Sequence, residues 1–242
     1  MNEPTVKDLA NAAETSYDIT KAPDNYSRVN ELSSPEISTY KHNVNPFYII
    51  SHRGTDVGST NIKKELKADA AILFGDKKHD KLHKNRMIET ENIVKKIKEK
   101  DPNHSIHLTG HSLGGSTVQH AMIKSDIVRE NVKSVDTFNA GSSPLQLKTP
   151  LAKTNKKYKI IAEKSTHHHI KGDEISKNIQ SNMIGKIKTY KRPENKLADV
   201  GKSILKLAKP HLEKSGLGKL AHFAGNKLIS TLSSHSITNF TK

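Results

Sequence analysis

Apolar and polar residues along the middle of the chain follow first the period of a strand and then that of a helix. Ile106 and Leu108 alternate with polar neighbours, as residues of a half-buried strand do. Val118, Ala121 and Met122 then recur at helical spacing. The pattern therefore predicts a strand that runs directly into a helix, with a glycine-rich turn between them.

The rest of the chain carries similar patterns. Predicted strands lie at 47–51, 132–138, 158–162 and 184–190, and predicted helices at 5–17, 59–73 and 87–100. Residues 18–45 are polar and rich in turn formers, which predicts a wrapping segment with one short strand, and 75–85 is predicted to be a charged loop. Strands that alternate with helices indicate an α/β fold with a mainly parallel sheet covered on both faces.

The turn between the central strand and its helix carries candidate chemistry. It reads Gly110-His111-Ser112-Leu113-Gly114-Gly115. A strained turn of this kind lifts the serine hydroxyl clear of the sheet, where it can act as a nucleophile. The glycines leave room for the neighbouring backbone. The helix that follows directs the positive end of its dipole at the place where negative charge would develop. A structural turn or a phosphate-binding turn fits the glycines too, but the strand and helix favour Ser112 as a nucleophile.

This turn and three other stretches resemble the class 3 lipases of the α/β-hydrolase fold, whose turn commonly reads GHSLGG. Residues 47–56 resemble the family strand that ends in F-R-G-T and carries the oxyanion hole. Residues 135–140 resemble the strand after the nucleophile helix, and 172–175 the loop that bears the acid. The resemblance spans roughly 6–240 and implies one α/β-hydrolase domain over 1–242. The least family-like part, at about 193–232, is predicted from its own residues to be a basic amphipathic helical insertion.

The resemblance also implies a Ser-Asp-His triad. Asp173 beside a glycine is the candidate acid, and Asp136 is the alternative. In α/β-hydrolases the chain order is serine, acid, histidine, so the base follows position 173. His235 is preferred because its segment resembles the family's terminal H-x-x-x-Y, whereas His211 and His222 fall in helical patterns.

The oxyanion hole would be formed from two separate places in the chain. Thr55 would donate its N–H, and Leu113, directly after the nucleophile, would donate a second. Thr55 could instead cap a helix. Arg53 is expected to hold the loop before Thr55 by hydrogen bonds, and His111 to be a packing residue.

Composition limits the other possibilities. The chain has 242 residues and no cysteine, which excludes disulfides, thiolate metal sites and a cysteine nucleophile. The run 167–169 is three histidines, but adjacent side chains of a strand cannot all face one ion, so an exposed basic strand end is expected rather than a metal site. We expect neither a metal nor a cofactor.

The N-terminal residues do not resemble a targeting signal. They lack a basic stretch followed by an apolar core, and no run approaches the roughly 18 apolar residues of a membrane span. We therefore expect an intracellular or virion-associated protein with no signal peptide or transmembrane segment.

The formal net charge is +15 and comes mostly from lysine. Such a surface attracts anionic lipid, nucleic acid or another polyanion. Aromatic residues make up only 5% of the chain and arginines are few, which disfavours sequence-specific nucleic-acid binding. As the partner of this surface, an anionic membrane or a polyanionic assembly is favoured over nucleic acid. The alternative is a lysine-rich surface that has no charged partner.

The insertion at about 193–232 has apolar residues on one stripe and lysines opposite. The stripe comprises Leu197, Val200, Ile204, Leu205, Ala208 and Leu212. A basic amphipathic helix of this kind can lie in an anionic membrane interface or pack on the sheet with its lysines in water.

Together these features predict a serine hydrolase that cleaves carboxylic esters of acylglycerols or phospholipids through an acyl-enzyme. The alternative is a catalytically silent lipase-like protein with a structural or polyanion-binding or membrane-binding role in a larger assembly such as a virion. Low aromatic content and many lysines motivate that alternative.

Overall fold

The computed structural model describes residues 3–54, 77–140, 153–173, 183–191 and 236–241. Several sequence-based expectations lie outside these residues. They concern Thr55, the helix at 59–73, the insertion at 193–232 with His211 and His222, and His235.

One sheet of seven strands, ordered as in the chain, forms the centre of the molecule. The strands are β1 (Tyr26–Arg28), β2 (Ile37–His42), β3 (Phe47–His52), β4 (Ser105–His111), β5 (Ser134–Phe138), β6 (Ser165–Ile170) and β7 (Lys186–Tyr190). The pairs β1–β2 and β2–β3 are antiparallel, and every pair from β3 to β7 is parallel. The predicted α/β class with a mainly parallel sheet is therefore confirmed.

Helices cover both faces of the sheet. They are α1 (Val6–Thr15), α2 (Lys77–Lys100), α3 (Leu113–Lys124), α4 (Asp126–Asn131), α5 (Lys156–Lys164) and α6 (Thr238–Thr241), with a 3-10 turn at Asn30–Leu32. Among the described helices, none is long and apolar enough to cross a membrane.

Strand β3 contributes side chains to two apolar cores, one on each face of the sheet. Tyr48 and Ile50 lie in the apolar cluster that includes residues of α2, α3 and α4. Phe47 and Ile49, one residue out of step, lie in the cluster beneath α1. Because successive side chains of a strand point to opposite faces, one apolar run feeds both cores. Each fully buried isoleucine contributes roughly 1.5–3 kcal/mol.

Helix α1 begins where its sequence predicts. The side chain of Thr5 accepts the N–H of Asp8 at 3.2 Å, and the Asp8 carboxylate accepts the N–H of Thr5 at 2.8 Å. This reciprocal capping box satisfies two backbone donors that a helix end leaves without partners.

The structure contradicts the predicted strand at 158–162, which lies inside helix α5. The side chain of Asn155 accepts the N–H of Lys157 at 2.8 Å and so caps the first turn of that helix. Short apolar runs fit either a strand or a helix segment, and here only Ile161 of the helix is fully buried.

The strand in this region is β6, and its histidines are buried rather than exposed. His167, His168 and His169 each have 0% of their surface exposed. The Nδ1 atom of His167 lies 2.8 Å from the Thr137 hydroxyl, and its Nε2 donates to the carbonyl of Ile184 at 3.1 Å. The hydroxyl of Thr137 on β5 and the carbonyl of Ile184 just before β7 therefore make the polar ring of His167 tolerable in the core.

Two further expectations were wrong in extent. Residues 18–45 contain two strands, β1 and β2, rather than one. Helix α2 begins at Lys77, so most of the predicted charged loop at 75–85 is helical. His83 and Arg86 are buried on the inner side of that helix. Its early turns pack through polar side chains, which an apolar periodicity does not detect.

Candidate active site

Ser112 occupies the turn between β4 and α3 in a strained conformation, with φ 55° and ψ −122°. Non-glycine residues seldom adopt positive φ, and such strain persists only where the surroundings hold it. The Ser112 N–H donates to the carbonyl of Phe138 at 3.0 Å, and the Ser112 carbonyl accepts the N–H of Ser116 at 3.2 Å. The serine is thereby fastened to β5 on one side and to its own helix on the other.

Glycines let helix α3 come close to the sheet. A Cβ on Gly114 would lie 2.0 Å from the carbonyl oxygen of His52, and one on Gly110 would lie 2.5 Å from the carbonyl carbon of Gly114. Both contacts are with backbone, which cannot move aside. The helix N-terminus therefore rests directly against the ends of β3 and β4.

Tyr17, just beyond α1, joins the strand end at Gly54 to the turn. Its hydroxyl lies 2.9 Å from Nδ1 of His111, which is buried and packs as expected. A Cβ on Gly54 would lie 2.1 Å from that hydroxyl and 2.7 Å from the carbonyl oxygen of His111. The guanidinium of Arg53 is 5.9 Å from the centre of the Tyr17 ring. No sequence pattern indicated this role for Tyr17.

Arg86 holds the same strand end from α2. Its Nη1 donates to the carbonyl of Arg53 at 2.7 Å, and its Nη2 forms an ion pair with Glu36. The N–H of Arg53 in turn donates to the carbonyl of Glu36 at 3.0 Å. Burial lowers the pKa of Arg86 to about 10. The backbone two residues before Thr55 is thus clamped, through Arg86, which sequence reasoning missed.

His52, the last residue of β3, contacts the two helices that pack beside the serine turn. Its Nδ1 lies 2.8 Å from the hydroxyl of Thr117 in α3, and its Nε2 lies 2.9 Å from the hydroxyl of Thr90 in α2. Burial lowers the pKa of His52 to about 3, so the ring is neutral near pH 7. A neutral ring has one N–H only, so the imidazole donates to at most one of the two hydroxyls. Each hydroxyl also lies within hydrogen-bond distance of a backbone carbonyl, that of Arg86 for Thr90 and that of Gly114 for Thr117.

Asp173 lies past the end of β6 and is buried, with 1% of its surface exposed. Its N–H donates to the carbonyl of Ile170 at 3.1 Å, and Gly172 before it has φ 93°, which favours glycine. Strands β4, β5 and β6 are parallel, so Ser112 and Asp173 follow strands that end at one edge of the sheet. Leu113, at the first position of α3, is at that edge too.

Asp136 lies within β5 instead, before the strand ends. Its carboxylate is 2.8 Å from Nε2 of the buried His168. The structure therefore pairs the alternative acid with a histidine inside the sheet, while Thr55 and His235 lie outside the described residues. Within the described stretches, no group of three or more His, Asp or Glu side chains is arranged to hold a metal ion.

Comparison with known families finds one match that includes the serine turn. The sequence model of the family described as Lipase (class 3) matches residues 50–165, from the end of β3 through the serine turn to the start of β6. The resemblance to the class 3 lipases is confirmed. Residues 50–165 are therefore similar in sequence to a family of lipase-type hydrolases.

Among solved structures, a mutant form of MDLA from Penicillium cyclopium is similar to this chain. The TM-score is 0.43 at 14% sequence identity, over 78% of this chain and 77% of that one. No curated protein matches the sequence significantly.

Proposed function

We propose that this protein is a serine hydrolase that cleaves carboxylic esters of acylglycerols or phospholipids through an acyl-enzyme. The observation that carries the proposal is the strained turn at Ser112, held at φ 55° at the end of the central strand. The buried carboxylate of Asp173 follows a strand that ends at the same edge and supports the proposal.

In the proposed reaction the Ser112 hydroxyl attacks the ester carbonyl while His235 accepts its proton. The N–H groups of Thr55 and Leu113 stabilise the oxyanion of the tetrahedral intermediate. His235 then gives the proton to the departing alcohol, which leaves the acyl group on the serine. Water, deprotonated by His235, releases the carboxylic acid, and Asp173 orients the imidazole and stabilises its cation.

The start of helix α3 supplies much of the electrostatic contribution. Leu113 lies in the first turn, where backbone N–H groups have no intrahelical acceptor. A preorganised oxyanion donor of this kind is worth about 10²- to 10³-fold in rate.

Hydrolysis of short-chain and long-chain p-nitrophenyl esters tests the proposal. Ser112→Ala should lower kcat/KM at least about 10³-fold, because the nucleophile and its base act as a unit. Ser27→Ala is the matched control, since Ser27 is exposed on β1. Equal rates of hydrolysis for Ser112→Ala and the unaltered protein would refute the proposed hydrolase activity.

A fluorophosphonate probe separates the two functional classes. It should label the unaltered protein at Ser112, as read by peptide mass spectrometry, and fail on Ser112→Ala. Absence of both labelling and ester hydrolysis would favour the silent lipase-like protein with a structural role in a larger assembly.

An anionic lipid surface is the partner proposed for the basic insertion. The net charge of +15 supports it, as do the exposed lysines of β7 at 186 and 188. Each lysine near such a surface contributes about 1 kcal/mol, and salt screens that attraction. The protein should sediment with anionic but not neutral vesicles, and less so at high salt.

Changing Lys202, Lys206 and Lys209 to Glu should abolish vesicle binding. The same charge change on exposed lysines elsewhere, Lys95, Lys96 and Lys156, is the control. Equal binding to neutral vesicles, or equal loss in both triple variants, would contradict a role for the insertion.

A further inference from the structure

The ring of Phe138, the last residue of β5, lies between a histidine and residues 236–241, the C-terminal segment. It stacks on His168, with ring centres 4.9 Å apart and an angle of 17°. The ring of Phe240 packs against it at 5.0 Å, and Phe240 also meets the edge of Tyr190 at 5.8 Å and 89°. Phe240 therefore occupies a corner formed by two rings from β5 and β7.

A chain of hydrogen bonds, buried at Asp136 and His168, fixes one wall of that corner. Asp136 lies 2.8 Å from Nε2 of His168, and Nδ1 of His168 lies 2.8 Å from the hydroxyl of Tyr190. Because a carboxylate can only accept, Nε2 of His168 carries a hydrogen. In the neutral ring Nδ1 then accepts from the Tyr190 hydroxyl. This chain ties together β5, β6 and β7 and sets the orientation of the Tyr190 ring.

Carboxylate, imidazole and hydroxyl are the groups of a triad, yet Tyr190 is a poor nucleophile. Burial, with the charge of Asp136 as a second cause, raises the pKa of Tyr190, which keeps its hydroxyl protonated. The part of Tyr190 that meets another functional segment is its ring, through Phe240. The hydrogen-bonded chain is therefore suited to positioning.

Two apolar side chains anchor the C-terminal segment. Ile237 is buried in the cluster beneath α1 that also contains Leu9 and Phe138. Phe240 packs against the same cluster, and its N–H donates to the carbonyl of Ile237 at 2.9 Å. The residue that precedes this anchored segment is His235, separated from Ile237 by one residue.

Phe138 also contacts the serine turn, since its carbonyl accepts the N–H of Ser112. One residue thus touches the nucleophile through its backbone and the C-terminal segment through its ring. A shift of the Phe240 ring would be passed along the chain toward His235.

We propose that the Asp136–His168–Tyr190 chain and the ring of Phe138 seat Phe240, and thereby position His235, the residue that directly precedes the C-terminal segment, for its part in hydrolysis. These residues are positioning residues and touch no reacting atom. The inference rests on the proposed function, in which His235 is the base.

The test compares Phe240→Ala with the unaltered protein on a soluble short-chain ester. Misplacement of a catalytic group by about 1 Å costs about 10²-fold, so kcat should fall roughly 10- to 100-fold with KM within about two-fold. In Phe240→Ala, kcat should also continue to rise with hydroxide concentration above pH 8, because hydroxide then replaces the displaced histidine as the base. Phe240→Tyr, which keeps the ring, should restore most of kcat.

Phe47→Ala is the matched control for loss of a buried ring. Phe47 lies in the same apolar cluster but at the start of β3, the opposite end of the sheet. It should lower the melting temperature without changing kcat or the pH profile, measured where both variants are folded. Tyr190→Phe keeps the ring but breaks the hydrogen bond to His168, and should lower kcat less than Phe240→Ala does.

The outcomes separate this inference from the proposed function. An active protein whose Phe240→Ala variant keeps the normal kcat and pH profile overturns the inference alone. Equal losses of kcat in Phe47→Ala and Phe240→Ala overturn it too, because general destabilisation would then explain both. An inactive unaltered protein overturns the proposed function together with the inference.

Discussion

The backbone N–H of Ser112 lies 3.0 Å from the carbonyl oxygen of Phe138, so the serine turn is hydrogen-bonded to the neighbouring strand. This bond helps to hold Ser112 at φ 55°, a conformation that costs a non-glycine residue about 1–3 kcal/mol. This free energy is the cost of presenting a hydroxyl above the end of a strand.

Relief of that strain predicts different stabilities for two inactive variants. Ser112→Gly should unfold at higher urea than Ser112→Ala, with a free energy of unfolding greater by about 1 kcal/mol, because glycine tolerates positive φ. Urea unfolding followed by circular dichroism measures the difference. A Ser112→Ala variant as stable as Ser112→Gly would show that the turn is unstrained.

The two candidate acids should respond differently to loss of charge. Asp173→Asn should lower kcat by about 10³- to 10⁴-fold, since an amide cannot orient and stabilise the imidazolium. Asp136→Asn should act mainly on stability and position, because its carboxylate faces His168 inside the sheet. Steady-state kinetics beside thermal unfolding measure both. The reverse ranking in kcat would make Asp136 the acid.

Loss of the Arg86 clamp should affect both stability and rate. Arg86→Met leaves the carbonyl of Arg53 without its donor, which costs about 1–3 kcal/mol. It should also lower kcat about 10-fold, because the released backbone lies two residues before Thr55.

Arg28→Met is the matched control for Arg86→Met. Arg28 is part-buried and also donates to a backbone carbonyl, that of Ser34, but lies on β1 at the sheet edge. It should lose stability and keep kcat. A normal kcat in Arg86→Met would show that the clamp does not act on the oxyanion side.

Buried neutral histidines should make the fold sensitive to mild acid. Burial lowers the pKa of His52 to about 3 and that of His167 to about 4, against an ordinary value of 6.5. Below pH 6.5 the unfolded chain binds protons that the folded chain does not. The stabilisation is therefore complete above pH 6.5 and declines as the pH falls toward 4.

At pH 5 each of these histidines should lower the free energy of unfolding by about 2 kcal/mol relative to pH 7.5. Urea unfolding across that pH range measures the slope. His52→Asn, which cannot titrate, should flatten it by the contribution of one proton. An unchanged slope in His52→Asn would contradict a neutral buried His52.

The strand, turn and helix around Ser112 could be read from the sequence, since strand alternation and helical spacing depend on neighbouring residues of one segment. The start of helix α1 was readable for the same reason, since the helix predicted at 5–17 begins at the residue that caps α1. Residues 158–162 were not, because a short apolar run satisfies either period, and the core beneath α5 selected the helix.

The sequence by itself determined the α/β class and the serine turn, because strand and helix periodicities and the glycines of a turn are encoded within single segments. Asp173 as the triad acid stays a prediction. Only the tertiary structure decided what Tyr17, Arg86 and His168 contact. Their partners are distant in the chain, and polar side chains become buried only where the fold supplies those partners. Hydrogen bonds between remote segments leave no periodicity in a sequence, so they appear only once the sheet has brought its strands together.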